Sequence, residues 1–383
     1  MRRLVLTLAV GAALAATAAT APTAAAAPTG ARGSERTCAP APAGYAACHA
    51  RVVTDSTGKP LATSGPSGLN PADIQSAYSL AGTSSGGRTV AIVDAYDDPT
   101  AEADLGVYRS QFGLTACTTA NGCFKKVNQS GGATPPRSDA GWATEVSLDL
   151  DMVSATCPSC HILLVEASSA SLTNLAAGVN YAASVPGVVA ISNSYGGTDG
   201  ASVSAYNPPG IAITASTGDN GYGVESPASY PHVVAVGGTS LKKSGSSWTE
   251  TAWSGAGSGC STSNPNPGWQ TGTSCNGKAN ADVSAVADPY TGVSIYDSTR
   301  YQGRSGWQVY GGTSASSPLI ASVYALADNF GTDAAQYTWG HAGNLHDVTS
   351  GSNGTCTTTV WCNAAAGWDG PTGLGTPNGV GAF

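Results

Sequence analysis

Five short and almost wholly apolar segments constrain the fold of this chain more than any other feature. Longer segments with helical or loop character separate them. Short apolar strands that alternate with longer segments are typical of a parallel sheet covered by helices on both faces. The sequence therefore predicts an α/β fold with a doubly wound, mostly parallel sheet. The five segments are residues 89–93, 162–165, 188–191, 211–215 and 233–236.

The first residues of the chain have the pattern of an export signal. Arg2 and Arg3 precede an apolar run over residues 4–19, and small residues follow up to Pro28. This order predicts a secretory signal peptide over residues 1–27, and hence a secreted, extracellular protein. Residues 28–66 are rich in Pro, Ala, Gly and Ser, which predicts a short leader or N-terminal arm. Residues 67–383 are long enough for one large domain.

Composition restricts the partners and the redox environment. Charged residues make up 10% of the chain and the formal net charge is −8, which argues against nucleic acid or an anionic membrane as partner. We expect a monomer. The ten cysteines fall into neighbouring pairs, and an even count in an exported chain predicts disulfides. The simplest pairing is Cys38/Cys48, Cys117/Cys123, Cys157/Cys160, Cys260/Cys275 and Cys356/Cys362.

Ser314 is a candidate nucleophile. It lies in a Gly-Gly-Thr-Ser sequence just before Pro318 and an apolar run with helical spacing. This pattern predicts that Ser314 occupies the first turn of a helix, where free N–H groups and the helix dipole stabilise negative charge. A turn that merely caps the helix is the alternative interpretation, because Ser and Thr are ordinary capping residues.

Carboxyl groups, rather than a histidine, are the candidate partners of this serine. Glu145 and Asp149 are four residues apart in a segment with an apolar stripe, so a helix would place them on one face. Buried together they would share a proton, whereas the alternative is an exposed acidic face. Asp219 follows the strand at 211–215 in a Gly-rich turn, where it is either a turn former or a protonated hydrogen-bond donor to an oxyanion.

These motifs, in this order, resemble those of the sedolisin family, the serine-carboxyl peptidases. The likeness covers the Glu-x-x-x-Asp helix, the Gly-Asp-x-Gly turn, the Gly-Thr-Ser-x-x-x-Pro segment and the sequence at 367–375. The resemblance implies a subtilisin-like fold with Ser314 as nucleophile and Glu145 as general base and acid. Asp149 would be its hydrogen-bonded partner and Asp219 the oxyanion donor. Members usually carry a long propeptide domain, whereas here only residues 28–66 separate the predicted signal from the domain.

The family also implies a structural metal, one calcium ion (Ca2+). Two carboxylates among flexible backbone carbonyls suit calcium, although turn-forming Asp residues are the simpler interpretation. The resemblance assigns the ligands to the side chains of Asp347 and Asp369 and to the carbonyls of Val348, Ala365 and Gly367. Asp94 and Tyr195 stand where some relatives carry a supporting Glu and Trp.

The sequence thus predicts a secreted serine-type endopeptidase that acts on polypeptides in acid through a Ser314 acyl-enzyme. Substrate would lie extended along residues 194–197 and beside Asp219. An inactive binding protein on the same fold is one alternative. A Ser-His-Asp hydrolase with His161 or His232 as base is another.

Overall fold

The structure, a computed structural model, describes residue 1, residues 33–327, residue 329 and residues 331–383. Apart from Met1, the signal peptide predicted over residues 1–27 lies outside the described residues. Six α-helices are found in the described part: α1 Pro71–Ala77, α2 Ala101–Gln111, α3 Ala140–Thr156, α4 Leu172–Ser184, α5 Thr313–Ala327 and α6 Ala334–Gly340.

The same residues form nineteen strands. They are β1 Gly33–Arg36, β2 Ala47–Cys48, β3 Arg51–Thr54, β4 Thr89–Ala95, β5 Phe124–Asn128, β6 His161–Ala167, β7 Val188–Asn193, β8 Tyr195–Thr198, β9 Ala212–Ser216, β10 Glu225–Ser226, β11 Val234–Ser244, β12 Ser247–Ala252, β13 Gly259–Pro265, β14 Gly277–Asn280, β15 Val283–Val286, β16 Val293–Tyr301, β17 Arg304–Gly311, β18 Leu345–His346 and β19 Thr376–Pro377.

A central sheet of eight strands organises the fold. Its order is β12-β11-β9-β7-β4-β6-β5, with β15 also paired to β11, and every pairing except that of β12 is parallel. The five apolar segments of the sequence are β4, β6, β7, β9 and β11, so the predicted α/β fold is confirmed. Asp94 lies within β4 rather than after it, because the strand continues to Ala95.

Helices cover both faces of this sheet. Side chains alternate between the faces, so Val90 and Ile92 pack in one core cluster with α3 and α5. Ala91 and Val93 pack in the other cluster with α4. This arrangement places α3 and α5 side by side on one face, and their N-terminal halves carry the candidate catalytic residues.

The candidate arm is joined to the rest of the fold by strand pairing. Strand β3 pairs with β17, and β2 pairs with β8. The domain boundary near residue 67 remains a prediction. Residues 239–312 include a long hairpin of β16 and β17. Apolar periodicity does not predict this hairpin, because its strands contain many Ser, Thr and Gly residues.

The predicted disulfide bridges can be checked directly against the structure. All five neighbouring cysteine pairs form bridges, so the predicted pairing is confirmed. In the described ranges no helix is long and apolar enough to cross a membrane.

Candidate active site

Ser314 lies in the first turn of α5, as the sequence predicts. The preceding Gly312 has a φ of 95°, which favours glycine. A Cβ on Gly312 would overlap the carbonyl oxygen of His49 and would lie 2.7 Å from Asp219 Oδ2. Ser314 is fully buried, and its hydroxyl donates to the carbonyl oxygen of Ser194 at 3.2 Å.

Glu145 and Asp149 lie one turn apart on α3, and both side chains are fully buried. The alternative of an exposed acidic face is therefore wrong. Glu145 Oε2 accepts the main-chain N–H of Ala50 at 2.8 Å, and Asp149 Oδ1 accepts the Ser194 hydroxyl at 2.8 Å. The helix begins after Asp139, whose side chain caps it by accepting the N–H groups of residues 141 and 142.

The electrostatics of this pair involve a third carboxyl group, Asp94. Burial raises the pKa of Glu145 well above its ordinary value, and the charge of Asp94 raises it further. Ser314 and the Ala50 N–H act in the opposite direction. Burial also raises the pKa of Asp149, with added effects from Asp94 and Glu145, and burial alone raises that of Asp94 to about 8.

Such a cluster titrates as one unit and holds few negative charges at a time. Glu145 is the member that accepts a main-chain N–H, and Ser314 also lowers its pKa. Within the described residues, neither oxygen of Asp94 has a hydrogen-bond partner. Glu145 and Asp149 thus each accept a hydrogen bond that favours the ionised form, whereas Asp94 accepts none among the described residues.

Asp219 lies in the turn after β9, and its carboxyl group contacts the start of α5. Its Oδ1 accepts both the N–H and the hydroxyl of Thr313, at 2.8 and 3.0 Å. Its Oδ2 is buried, faces Gly312 and has no hydrogen-bond partner in the part of the chain that is described. Burial raises the pKa of Asp219, although His49 and Thr313 oppose the rise. A protonated Oδ2 would be a hydrogen-bond donor beside Ser314.

The two histidines considered as alternative bases are occupied elsewhere. His161 is exposed and begins β6, at the opposite end of the sheet from Asp94. The exposed His232 pairs with Asp333 at 2.7 Å. Ser314 therefore has carboxyl groups, not these imidazoles, in its surroundings.

Sequence reasoning missed a different histidine, His49, and the pocket that holds it. The buried ring contacts Ser216 Oγ at 2.7 Å through Nδ1 and Glu225 Oε2 at 2.9 Å through Nε2. Ser194 was expected to contact substrate, but its link to Asp149 was not foreseen. No local motif marks His49 or Glu225, because strand pairing over long sequence distances brings them to the cleft.

Tyr195 lies behind the site. Its hydroxyl donates to Asn193 Oδ1 at 2.7 Å and contacts the hydroxyl of Tyr206 at 3.0 Å. The charge of Asp94 contributes to the raised pKa of Tyr195, after burial and Tyr206. The expected support from Asp94 and Tyr195 thus corresponds to two neighbouring buried groups.

The predicted calcium ligands lie on two segments, 347–348 and 365–369, that are hydrogen-bonded to each other. Asp369 Oδ2 accepts the N–H of Ala365 at 3.1 Å, and Asp347 Oδ2 accepts that of Gly367 at 2.9 Å. Two carboxylates therefore flank one loop, whose other donors are carbonyl oxygens, and an all-oxygen set of this kind fits calcium. Across the described residues there is no group of three or more His, Cys, Asp or Glu side chains that could hold a metal.

Comparisons with known proteins agree with this fold. The profile described as "Subtilase family" matches residues 113–346. Kumamolisin from Bacillus sp. (strain MN-32) is 29% identical over 364 residues, which cover 82% of this chain and 63% of the relative. Sedolisin from Pseudomonas sp. (strain 101) is 33% identical over 177 residues, covering 40% of this chain and 29% of the relative. The chain thus spans less than two thirds of the length of these two relatives.

Solved structures show the same similarity. Pseudomonas sedolisin, a serine-carboxyl proteinase complexed with two molecules of pseudo-iodotyrostatin, superposes with a TM-score of 0.68 and 26% identity. The match covers 83% of this chain and 96% of that one. Sphericase shares the fold, with a TM-score of 0.50 and 18% identity. The match covers 82% of this chain and 98% of that one.

The fold and these comparisons together define a subtilisin-like α/β protein of the serine peptidase class. The chain belongs to the subtilase family, and within it to the sedolisin family of serine-carboxyl peptidases.

Proposed function

We propose that this protein is a serine-carboxyl endopeptidase in which Ser314 is the nucleophile. Glu145 and Asp149 would form the proton-transfer pair, and Asp219 would stabilise the oxyanion. The observation that carries the proposal is the convergence of these four buried side chains, which come from α3, the turn after β9 and α5.

The proton-transfer role rests on the contacts of Glu145. An ionised Glu145 would take the Ser314 proton as the hydroxyl attacks the substrate carbonyl carbon, and would then pass that proton to the leaving nitrogen. The N–H of Ala50 that Glu145 now accepts shows that an amide nitrogen can reach this carboxylate. Water would then hydrolyse the ester on Ser314, with Glu145 again as base. Asp149 would orient Glu145 and share its proton.

The oxyanion role rests on the unsatisfied oxygen of Asp219. Thr313 fixes Oδ1 through two hydrogen bonds, which leaves Oδ2 directed at Gly312 and without a hydrogen-bond partner among the described residues. A neutral carboxyl group there would donate to a developing oxyanion, and preorganised donors of this kind commonly contribute a factor of about 100 to 1000 to the rate. An ionised Asp219 would repel the oxyanion, so we propose that the enzyme acts in acid.

Endopeptidase action is part of the same proposal. One continuous piece of chain, from β2 to β3, passes by Ser314 and Glu145 without ending there. A substrate polypeptide that followed the same path would present an internal bond to Ser314.

We also propose one structural calcium ion. Asp347 and Asp369, with the carbonyls of Val348, Ala365 and Gly367, would hold it, and the ion would stabilise the C-terminal loops rather than take part in the reaction.

Secretion and the monomeric state belong to the same proposal. Disulfides form in oxidising compartments, and all ten cysteines of this chain are paired. An acidic protein with this pairing fits an extracellular peptidase that acts on polypeptides.

Replacement of the nucleophile tests the proposed function. We expect Ser314→Ala to abolish hydrolysis of a denatured protein at acid pH. Ser322→Ala is the matched control, because Ser322 lies two turns further along α5 and donates only to the carbonyl of Pro318. Equal hydrolysis by wild type and Ser314→Ala would overturn the proposal.

A further inference from the structure

Ser194 connects the candidate nucleophile to the pair of carboxyl groups on α3. Its main-chain carbonyl oxygen accepts the Ser314 hydroxyl at 3.2 Å. Its own hydroxyl donates to Asp149 Oδ1 at 2.8 Å. One residue therefore contacts both the group that would attack the substrate and the pair that would receive the proton of that group.

The backbone on both sides of Ser194 is held by strand pairing. Strand β7 ends at Asn193, directly before it, and pairs with β4 and β9. Strand β8 begins at Tyr195, directly after it, and pairs with β2 and β10. Ser194 is fully buried, so solvent does not compete for its hydroxyl. The hydroxyl is thus presented to Asp149 by a segment that is anchored at both ends.

The hydroxyl of Ser194 has one proton to donate, and the distances favour Asp149 as the acceptor. The other acceptor within reach, the main-chain carbonyl oxygen of Ser314, lies at 3.4 Å. Burial raises the pKa of Asp149, and the charges of Asp94 and Glu145 raise it further. The Ser194 hydroxyl acts in the opposite direction, because a donated hydrogen bond stabilises a carboxylate more than a neutral carboxyl group.

The proposed reaction needs a negative charge on the Glu145–Asp149 pair while the solution is acidic. Among the described residues, three donors favour the ionised form of the pair, namely the Ala50 N–H, the Ser314 hydroxyl and the Ser194 hydroxyl. Ser314 gives its proton away in the reaction, and the donor of Ala50 belongs to the main chain. Ser194 is therefore the side chain that can stabilise this charge throughout the reaction.

The titratable groups that face the pair from other elements do not provide this stabilisation. The charge of Asp94, from β4, raises the pKa of both members. The charge of Asp219, from the turn after β9, adds to the raised pKa of Glu145. Burial raises the pKa of the phenols of Tyr195 and Tyr310, so both stay neutral. The pair thus faces carboxyl groups and neutral phenols.

We propose that Ser194 is a positioning residue that keeps one negative charge on the Glu145–Asp149 pair in acid and so sets the lower pH limit of the reaction. This inference rests on the proposed function. With its single charge, the pair would accept the Ser314 proton and become neutral as Ser314 attacks. Without that charge it could not accept the proton. Ser194 would act through Asp149, which shares a proton with Glu145.

The pH dependence of kcat/KM for Ser194→Ala tests this proposal. The change removes the hydroxyl and keeps the carbonyl oxygen that accepts Ser314. Loss of the donor makes the pair harder to ionise, so the acid limb of the profile should move to higher pH. We expect a shift of about one pH unit or more, which is a common contribution of a hydrogen bond to a charged group. KM at the optimum should change little.

Two further variants separate the role of this hydroxyl from the general effect of a buried substitution. Ser192→Ala is the matched control, because Ser192 is also fully buried and its hydroxyl contacts Ser317 Oγ at 3.0 Å rather than a carboxyl group. Its acid limb should stay at the wild-type pH. Ser194→Thr keeps a hydroxyl and should return the limb towards the wild-type position, with the melting temperature as a check of folding.

A second measurement needs no activity. In the Ser314→Ala background, the free energy of unfolding would be measured from acid to neutral pH with and without Ser194→Ala. The hydrogen bond to Asp149 is stronger when the pair is ionised. The destabilisation caused by Ser194→Ala should therefore grow as pH rises through the range in which the pair ionises. Ser192→Ala should cost the same at every pH.

The outcomes separate this inference from the proposed function. An active peptidase whose acid limb does not move in Ser194→Ala would overturn the inference and leave the proposed function standing. A rise in KM at every pH with an unmoved acid limb would show that Ser194 only binds substrate, and would overturn it as well. A wild-type protein that hydrolyses no added protein at any pH would contradict the proposed function, and the inference with it.

Discussion

Glu225 gives the cleft a negative charge at the position where the ring of His49 sits. Burial alone would raise the pKa of Glu225, but the interactions with His49, Arg36 and Asn220 together outweigh it and lower the pKa overall. The side chain is about one quarter open to solvent, at 23%, so an ionised carboxylate is tolerated here. A basic substrate side chain would find the same partner that His49 now has.

We therefore expect Glu225→Gln to change which peptides are cleaved. In Glu225→Gln, kcat/KM for a peptide with Lys or Arg before the cleaved bond should fall about tenfold or more, relative to kcat/KM for the same peptide with Leu at that position. The reason is that the substrate cation loses its partner. Glu102→Gln is the control, since Glu102 is exposed and bonds Thr119. An unchanged Lys-to-Leu ratio in Glu225→Gln would contradict the assignment of this pocket.

Residue types and spacing predicted which candidate side chains would come together. Glu145 and Asp149 could be placed on one helix face, and Ser314 at a helix start, because a helix fixes neighbours at short sequence distances. Their catalytic roles remain predictions. His49 and Glu225 could not be foreseen, because their contact joins residues 176 apart and depends on β2 pairing with β8.

Some helix starts carry a strong local sequence signal. Helix α1 begins after Asn70, which caps it together with Asp73, and Pro71 occupies its first turn. The β16–β17 hairpin was not foreseen, because its strands carry many polar and small residues and pair with each other and β3. Local sequence patterns therefore predict the start of a helix better than they predict pairing between strands that are distant in the sequence.

The loop between β18 and β19 should depend on calcium. If Asp347 and Asp369 hold the ion, a chelator should lower the melting temperature of the Ser314→Ala protein by several degrees, because ligand binding stabilises the folded state. Added calcium should restore it, and Asp347→Asn should weaken the response. Asp347 is exposed, so this change is a mild one for the fold. A melting temperature that changes neither with chelator nor with added calcium would contradict the proposed site.

At the scale of the whole molecule, buried carboxyl groups set the response to pH. Burial raises the pKa of Asp94 and Glu166 to about 8, and that of Asp297 to about 7. Between pH 4 and 8 the folded protein thus binds more protons than the unfolded chain. Stability is then fully present below the unfolded pKa, near 4, and is lost as pH rises through the folded values.

Asp94→Asn should flatten this pH dependence, because an amide resembles the protonated carboxyl and cannot ionise. The loss of unfolding free energy between pH 4 and 8 should shrink by several kcal/mol, at about 1.4 kcal/mol for each unit of pKa shift. Denaturant unfolding in the Ser314→Ala background avoids self-digestion. Asp55→Asn should not change the slope, since its carboxyl, with a pKa lowered to about 2, is ionised over this range. Equal slopes for Asp94→Asn and its parent would contradict this origin.

The rate of hydrolysis as a function of pH, measured with and without Glu145, tests the serine-carboxyl mechanism most directly. The steady rate on a denatured protein would be recorded from acid to neutral pH for wild type and Glu145→Gln. We expect a maximum in acid that declines as Asp219 ionises, and a loss of about 100-fold or more in Glu145→Gln. A neutral optimum that survives Glu145→Gln would instead show that a histidine is the base, and would contradict the mechanism.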